Sequence, residues 1–382
     1  MMTLHSASRQ SGVALLAALV LVMTVVLIMG NIFYRHQINV AQTALSLHQD
    51  QANLLALSGE SWARQLLEDD SISEDHFEET WAQAIPAMPV DGGLLNGCIS
   101  DLQGLFNLNN FASINTTKLK TAFSSNKASF PTIWNYLLNL QDIPVFPERV
   151  ATIIDWVDKH SALVNSYGAE QDEYASLMPP RMAGDELMAE PSELAAVIGY
   201  EIFEVQKLMP WITALPIPSG STTTPININT ASDELLLALG GTTYDLQFRD
   251  FVVANRPFND INRFYSDLDI ELGFALSPGG TKAKDRWPDT LVNVKSEYFQ
   301  LYIEVILGEA RIEVKSIIHR PSRGNSAIIS RELTTVPASL AKDSDSALFE
   351  KLAASVGLGS DDDLEEMVED QQVQPACLMI GA

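Results

Sequence analysis

Residues Gly12 to Tyr34 read G-VALLAALVLVMTVVLIMGNIF-Y, and this stretch decides the fold because no charge occurs between Arg9 and Arg35. A helix needs about 20 apolar residues to cross the hydrocarbon core of a bilayer. A secretory signal peptide has a shorter apolar core, of roughly 7–15 residues, and ends at a cleavage site of small residues. The sequence therefore predicts a folded body attached to a single, uncleaved membrane helix.

The helical pattern continues beyond the apolar stretch. No proline occurs before Pro86, and apolar residues recur at helical spacing at Ile38, Ala41, Ala44, Leu45, Ala52, Leu55, Trp62 and Leu66. We therefore expect one helix from about Val13 to about Glu68. Its first half is predicted to lie in lipid, and its second half to pack an amphipathic face on the body.

Composition limits the classes of function. A chain of 382 residues predicts two or three units after the anchor. The net charge of −25 disfavours general binding of nucleic acid, because an acidic body repels phosphate. Cys98 and Cys377 form no C-x-x-C pair, so a cysteine zinc site is not supported. Whether these two cysteines pair with each other is left open.

The C-terminal part of the body has the pattern of a sheet. Residues Leu291 to Pro337 alternate with a period of two and predict three antiparallel strands. A hairpin over Gly97 to Leu108, turning at Asp101 to Gly104, is a candidate for further strands. A long helix on a small antiparallel sheet is an α+β arrangement.

The middle of the chain, Thr116 to Ile212, is predicted to be mostly helical and to form a large all-α insertion. The segment F-N-L-N-N-F-A-S precedes it, and P-I-N-I-N-T-A follows it. Asn227 and Asn229 stand 120 positions after Asn107 and Asn109. This echo predicts the duplication of a small helical unit.

The second of these segments resembles the start of a SAM-like or helix-hairpin-helix module. DNA-binding versions of that module use a G-I-G hairpin to donate backbone N–H groups to phosphate. Here the equivalent place holds Leu239-Gly240-Gly241-Thr242, followed by acidic residues. The pattern favours a unit that packs within the protein over a unit that binds DNA.

The leader M-M-T-L-H-S-A-S-R-Q-S-G, followed by an apolar helix that continues into an amphipathic one, resembles type IV prepilins and type II secretion pseudopilins. The resemblance implies cleavage between Gly12 and Val13 by a prepilin peptidase, and methylation of the new N-terminus at Val13. Ala17 would be the fifth residue of the mature chain, where most members carry Glu. A subunit without that carboxylate suits the tip of a fibre, and it avoids burying an unpaired charge in lipid.

The order of segments up to about Val336 resembles the minor pseudopilin K family of bacterial type II secretion. The resemblance rests on the leader, Ala17 and four motifs, which are D-L-Q-G-L-F-N-L-N-N, I-D-W-V-D-K-H, G-A-E-Q-D-E-Y-A-S-L-M-P-P-R and I-N-I-N-T-A. It implies a single pass through the inner membrane, a periplasmic body, and a place at the pseudopilus tip, capping the pseudopilus and helping to initiate its assembly. The implied partners are minor pseudopilins I and J, the prepilin peptidase, and other pseudopilus and inner-membrane components of the system, with no nucleic acid.

With this resemblance the chain divides into seven predicted segments. They are a leader (1–12), the membrane half of the helix (13–34), its periplasmic half with the first part of a pilin-like domain (35–110), a first helical unit (111–215), a second (216–288), C-terminal strands (289–337) and a tail (338–382). The tail contains S-D-D-D-L-E-E-M-V-E-D-Q-Q and is predicted to be disordered.

A loop after one predicted helix carries candidate calcium ligands. Asp158, Glu170, Asp172 and Glu173, together with Asp155, cluster there, and calcium takes six to eight oxygen ligands. The D-x-D-x-D-G spacing of an EF-hand is absent. The family resemblance implies calcium in the body, although relatives often read D-x-D where His160 stands here. A solvated acidic loop is the alternative.

The remaining hypotheses differ in class. The histidines are scattered, and no G-x-S-x-G, H-E-x-x-H or Gly-rich phosphate loop occurs, so no enzyme is expected. A membrane-anchored DNA-uptake receptor is the alternative to the secretion role, and the acidic charge argues against it. A generic single-pass periplasmic protein would differ by having no cleavage at Gly12.

Overall fold

The computed structural model describes residues 11–83, 85–125, 127–274, 282–308 and 310–336. In these ranges the helices are, in chain order, α1 (Ser11–Asp69), α2 (Thr116–Ala122), α3 (Phe130–Leu140), α4 (Pro147–Val157), α5 (Gln171–Ala175), α6 (Ile202–Leu208), α7 (Asp233–Asn255), α8 (Ile261–Glu271) and α9 (Ala283–Arg286). The strands are β1 (Ile85–Val90), β2 (Gly93–Asp101), β3 (Phe106–Asn107), β4 (Ile212–Thr213), β5 (Ile226–Asn227), β6 (Val292–Asn293), β7 (Tyr298–Leu307), β8 (Ala310–His319) and β9 (Ala327–Val336).

Helix α1 is one continuous helix, as the uninterrupted pattern predicts. Its first part is long and apolar enough to cross a membrane, by length and composition. Large apolar side chains there are exposed, among them Leu19 at 64% and Phe33 at 63%. Exposed apolar surface of this length needs lipid or another apolar partner.

The second half of α1 packs on a five-stranded antiparallel sheet of order β1-β2-β7-β8-β9. Small side chains make the contact: Ala52, Ala56 and Ala63 are almost fully buried. At Gly59 a Cβ atom would lie 2.8 Å from Cδ1 of Ile303, so a larger residue here would require the Ile303 side chain to move. Because α1 carries small residues on this face, its backbone lies close to the strands.

The sheet confirms one strand prediction and corrects another. The three C-terminal strands are present as β7, β8 and β9. The predicted hairpin with a turn at Asp101 to Gly104 is wrong, because the observed hairpin joins β1 to β2, with Val90 opposite Gly93. Gly92 has a φ of 86°, which suits this tight turn. Asp101 instead ends β2 and accepts a hydrogen bond from the backbone N of Gln103, starting a buried 3-10 turn.

Helices α2 to α9 lie in an insertion between β2 and β7, here called the helical body (residues 102–297). The chain leaves the sheet at Asp101 and returns at Tyr298, and Asp101 pairs with Phe299. The helical body has its own apolar core, which includes the fully buried rings of Trp134 and Trp287. The predicted combination of a long helix, a small antiparallel sheet and a large helical insertion is thus observed.

The helical body contains two similar corners. Strand β3 pairs in parallel with β4, and β5 pairs in parallel with β6. In the first corner, Asn109 accepts a hydrogen bond from Met188 N at 2.8 Å and donates to Met188 O at 2.9 Å. In the second, Asn229 binds Phe258 N and O at the same two distances. This shared geometry supports the duplication that the echo of asparagines predicts.

Some expectations stay predictions. The SAM-like assignment and the seven segment boundaries are not tested by these observations. The acidic tail from residue 338 and Cys377 lie outside the described residues. Cys98 is buried in β2, at 3% exposure.

Candidate functional site

The predicted processing site lies at the start of α1. Gly12 follows the first residue of the helix, and Val13 and Ala17 are exposed on its apolar part. Cleavage and methylation remain predictions. Ala17 lies on the exposed apolar surface of this helix and carries no charge, so it adds no cost to placing that surface in lipid.

The candidate metal site forms where α4 ends and α5 begins. Asp155 lies in the last turn of α4, and Asp158 is the residue that ends it. Glu170 precedes α5 and Glu173 lies in its first turn. The chain between the two helices folds back, and the Asp155 carboxylate accepts a hydrogen bond from Val164 N at 2.9 Å.

The carboxylates at this site raise one another's pKa. Burial raises the pKa of Asp155 to about 6, and the charge of Asp158 adds to the effect. Burial also raises the pKa of Glu170 to about 7, with added repulsion from Asp155, Asp158, Asp185 and Glu173. A bound cation would reverse the repulsion, because it favours the ionised carboxylates.

Two oxygen atoms at this site lack partners in the described part of the chain. Oδ2 of the fully buried Asp155 and Oε1 of Glu170, which is 7% exposed, accept no hydrogen bond. Unpaired buried carboxylate oxygens are costly, and a proton, a water molecule or a bound ion can satisfy them. Hard oxygen donors of this kind fit calcium, which accepts mixed carboxylate and carbonyl ligands.

The predicted ligands divide into two groups. Asp158 and Glu170 lie in the cluster, and Glu173 lies beside them, where its Oε2 accepts a hydrogen bond from Glu170 N at 2.9 Å. Asp172 is exposed on α5, and none of its described hydrogen bonds reaches the cluster. It is therefore a weaker candidate than the sequence suggested.

Asp185 is the acidic neighbour that sequence reasoning missed. It contributes to the raised pKa values of Glu170 and Asp158, and its φ of 49° places it in the left-handed region. No local motif links it to the other carboxylates. The His160 side chain is 83% exposed with its Nδ1 3.9 Å from Asp158 Oδ1, and the His160 backbone N donates to the same oxygen at 2.8 Å.

A second acidic group lies near the end of α1. Oxygen atoms of Asp70, Asp75 and Glu79 come within 4.8 Å of one another. However, the guanidinium of Arg320 already binds Asp75, with Nη2 2.6 and 2.8 Å from its two carboxylate oxygens. This position is therefore filled by a side-chain cation, and we do not assign a metal to it.

The glycines that replace the DNA-binding hairpin have a packing role. Gly240 lies in α7, where a Cβ atom would approach the Cα of Asp245 to 2.7 Å. Gly241 has a φ of 64° and marks the kink in that helix. The DNA-uptake hypothesis gains no support from this geometry.

Comparison with known proteins identifies similar chains. The sequence model of the family "Type II secretion system (T2SS), protein K" matches residues 104–217. Type II secretion system protein K of Aeromonas hydrophila is 30% identical over 341 residues, covering 86% of this chain and 98% of that protein. The protein of the same name from Pectobacterium carotovorum subsp. carotovorum is 29% identical over 326 residues, covering 82% and 93%.

A solved structure has the same fold. A chain in the crystal structure of the GspK-GspI-GspJ complex from enterotoxigenic Escherichia coli aligns with a TM-score of 0.61. The alignment covers 77% of this chain and 99% of that chain, at 23% identity. At that identity the likeness concerns the fold.

Proposed function

The chain belongs to the type II secretion system protein K family and is a minor pseudopilin, a structural component of the secretion machinery; on that premise we propose that it caps the tip of the pseudopilus. In this role it would also help to initiate assembly of the fibre. The proposal carries no catalytic step. It assigns the chain a place and a set of contacts.

The helical body is the observation that supports a tip position. It is a large unit with a core of its own, inserted between two strands of the sheet that α1 packs on. In a fibre, subunits stack through their long helices and sheets at a regular spacing. A subunit carrying such an insertion would obstruct the neighbour ahead of it, whereas at the tip no neighbour is displaced.

The proposed partners are minor pseudopilins I and J. The solved complex to which this fold is similar contains GspK, GspI and GspJ. Co-expression of the full-length chain with its own I and J subunits, extraction in mild detergent and affinity purification through this chain test the partnership. Recovery of both partners in fixed ratio is expected, and recovery of neither would remove the tip-complex proposal.

The apolar part of α1 is proposed to anchor the chain in the inner membrane, with the body in the periplasm. The proposed processing cuts between Gly12 and Val13 and methylates Val13. The mass of the membrane-extracted chain, with and without the prepilin peptidase, tests this step. A product that starts at methylated Val13 only with the peptidase is expected, whereas a chain starting at Met1 in both samples would contradict it.

Calcium is proposed as the ion of the acidic cluster. Asp155, Asp158 and Glu170 would hold it, with Glu173 and Asp185 close by, and the ion would tie the end of α4 to the start of α5. Its role would be structural, because it neutralises buried carboxylates. Thermal unfolding of chelator-treated protein with added calcium tests the site. We expect a rise in Tm with calcium and none with the same concentration of sodium.

A further inference from the structure

The attachment of the helical body to the rest of the protein is narrow. The described chain crosses between them at the end of β2 and at the start of β7. These crossings are neighbours, because Asp101 and Phe299 pair within the sheet. Two adjacent crossings define an axis about which one part can rotate against the other.

The apolar contact across this joint is small. The core of the helical body and the core beneath α1 are separate clusters. Among the described residues, the cluster between them comprises the buried side chains Leu102, Leu215 and Tyr298. Hydrophobic burial alone therefore contributes little to holding one orientation.

A buried ionic cluster crosses the joint instead. Arg320, which follows β8, is 4% exposed and binds the fully buried carboxylate of Asp75 on the loop after α1. It also donates to Ser296 O at 3.1 Å, on the chain returning from the helical body, and to Leu67 O at 3.3 Å, in α1. One guanidinium thus connects the sheet, the end of α1 and the helical body.

Asp101 extends this cluster into the second corner of the helical body. Its Oδ2 accepts hydrogen bonds from Thr230 Oγ1 and Ser296 Oγ at 2.6 Å, and from Asn227 Nδ2 at 2.9 Å. Asn227 Nδ2 also donates to Asp75 O at 3.0 Å. Buried polar networks of this kind hold one geometry while every member is paired, and release it when one is lost.

We propose that the joint is a hinge whose axis is formed by the two adjacent chain crossings, and that the cluster of Arg320, Asp75 and Asp101 is the latch that holds one orientation of the helical body. Because Arg320 binds both Leu67 O and Asp75, the latch ties that orientation to the end of α1. With the latch open, the helical body and the sheet keep their separate cores and move against each other.

The test opens the latch in the full-length protein in detergent. The double variant Arg320→Met/Asp75→Asn removes the guanidinium and the buried carboxylate that it binds, at similar volume. The other carboxylate that Arg320 contacts, Asp70 at 3.3 Å, is 20% exposed and can be solvated by water. Hydrogen exchange should accelerate at least roughly tenfold at the amides of Gln103 and Glu297, whose acceptors are Asp101 and Gln103 and are not substituted, while α4 and β8 keep their protection. Spin labels on noncanonical residues at Gln65 of α1 and Lys120 of α2, both exposed, should show a broadened distance distribution.

A matched control removes a buried ion pair within the helical body. Arg149 binds Glu204 with two hydrogen bonds of 2.7 and 3.0 Å, and both side chains are less than 10% exposed. The variant Arg149→Met/Glu204→Gln should leave the label distance unchanged. The latch is refuted by unchanged junction exchange, by equal acceleration of α4, β8 and the junction, or by the same broadening in the control.

Discussion

At the scale of single residues, the features that organise this protein are buried polar side chains. The two corners of the helical body depend on Asn109 and Asn229, whose side-chain amides pair with backbone groups as a neighbouring strand would. Such amides satisfy backbone groups that no helix or sheet reaches. The acidic cluster differs, since Oδ2 of Asp155 and Oε1 of Glu170 have no hydrogen-bond partner among the described residues.

The corner asparagines can be tested individually. Asn229→Ala should lower the free energy of unfolding by about 1–3 kcal/mol, because it leaves Phe258 N and O buried without their partner. Denaturant titration of the detergent-solubilised protein measures the change. Asn262→Ala, at an exposed position on α8, should stay within about 0.5 kcal/mol of wild type. Equal effects of the two variants would contradict the role of the corner.

The acidic cluster predicts an unusual pH dependence. The folded-state pKa values of Asp155 and Glu170, about 6 and about 7, lie above their unfolded values. Their folded forms thus bind extra protons, and stability declines as pH rises through this range. The Tm of chelator-treated protein should therefore fall between about pH 4.5 and about pH 7.5, and calcium should restore it most at the upper end.

A pair of variants separates the pH dependence caused by the buried cluster from that caused by exposed carboxylates. Asp155→Asn should weaken both the pH dependence and the calcium response, because it removes a buried carboxylate of the cluster. Asp172→Asn, at an exposed position on α5, should change neither. Differential scanning fluorimetry across pH, with chelator or calcium, measures both. A calcium response in Asp155→Asn as large as in wild type would place the ion elsewhere.

At the scale of elements, the two parts of α1 have different surfaces. Its first part exposes large apolar side chains suited to lipid, and its second part buries small ones against the sheet. Alanine and glycine at this contact let the helix approach closely, and polar contacts then tie it to the edge strand. Glu60 of α1 pairs with Arg331 of β9, and Arg64 donates to Ser326 O at 2.7 Å.

The close approach of α1 predicts sensitivity to added volume. Ala56→Leu should destabilise the protein by about 1–3 kcal/mol, because the larger side chain cannot fit without moving the helix or the strands. Ala44→Leu, at an exposed position on the same helix, is the control and should have little effect. Thermal unfolding and hydrogen exchange of β7 amides measure the difference. A neutral Ala56→Leu would mean that α1 packs more loosely than its buried alanines indicate.

At the scale of the whole molecule, the helical body is inserted in the chain between two strands, β2 and β7, that remain paired with each other. Strands β2 and β7 pair along nine residues, from Gly93 opposite Leu307 to Asp101 opposite Phe299. The pairing of β2 with β7 thus extends up to the point where the chain leaves the sheet. The separate apolar cores follow from this arrangement.

This arrangement predicts that the sheet folds without the helical body. Replacing residues 102–297 by a short Asn-Gly hairpin turn would join β2 directly to β7, because their ends are already opposite each other. The shortened protein should retain its sheet by circular dichroism and protect β7 and β8 amides from exchange. Loss of protection in those strands would show that the sheet needs the helical body.

Much of the architecture was predictable from periodicity. An apolar run followed by an amphipathic pattern predicts α1, and alternation with a period of two predicts β7, β8 and β9, because both patterns record burial by neighbours at regular spacing. The position of the N-terminal hairpin was wrong, since the turn at Asp91 and Gly92 competes with an equally turn-like sequence at Asp101 to Gly104. Gly92 adopts the positive φ that the hairpin needs, while Asp101 is buried.

The sequence by itself determined the long apolar helix, the class of fold and the order of sheet and helices, because these depend on local periodicity and on the length of apolar runs. Tertiary structure alone decided which carboxylates meet. Asp185 joins Asp155 and Glu170, Asp172 stays exposed, and Arg320 reaches Asp75 from far along the chain. Burial, pKa and ion pairing arise from contacts between distant segments, and a linear pattern does not record those contacts.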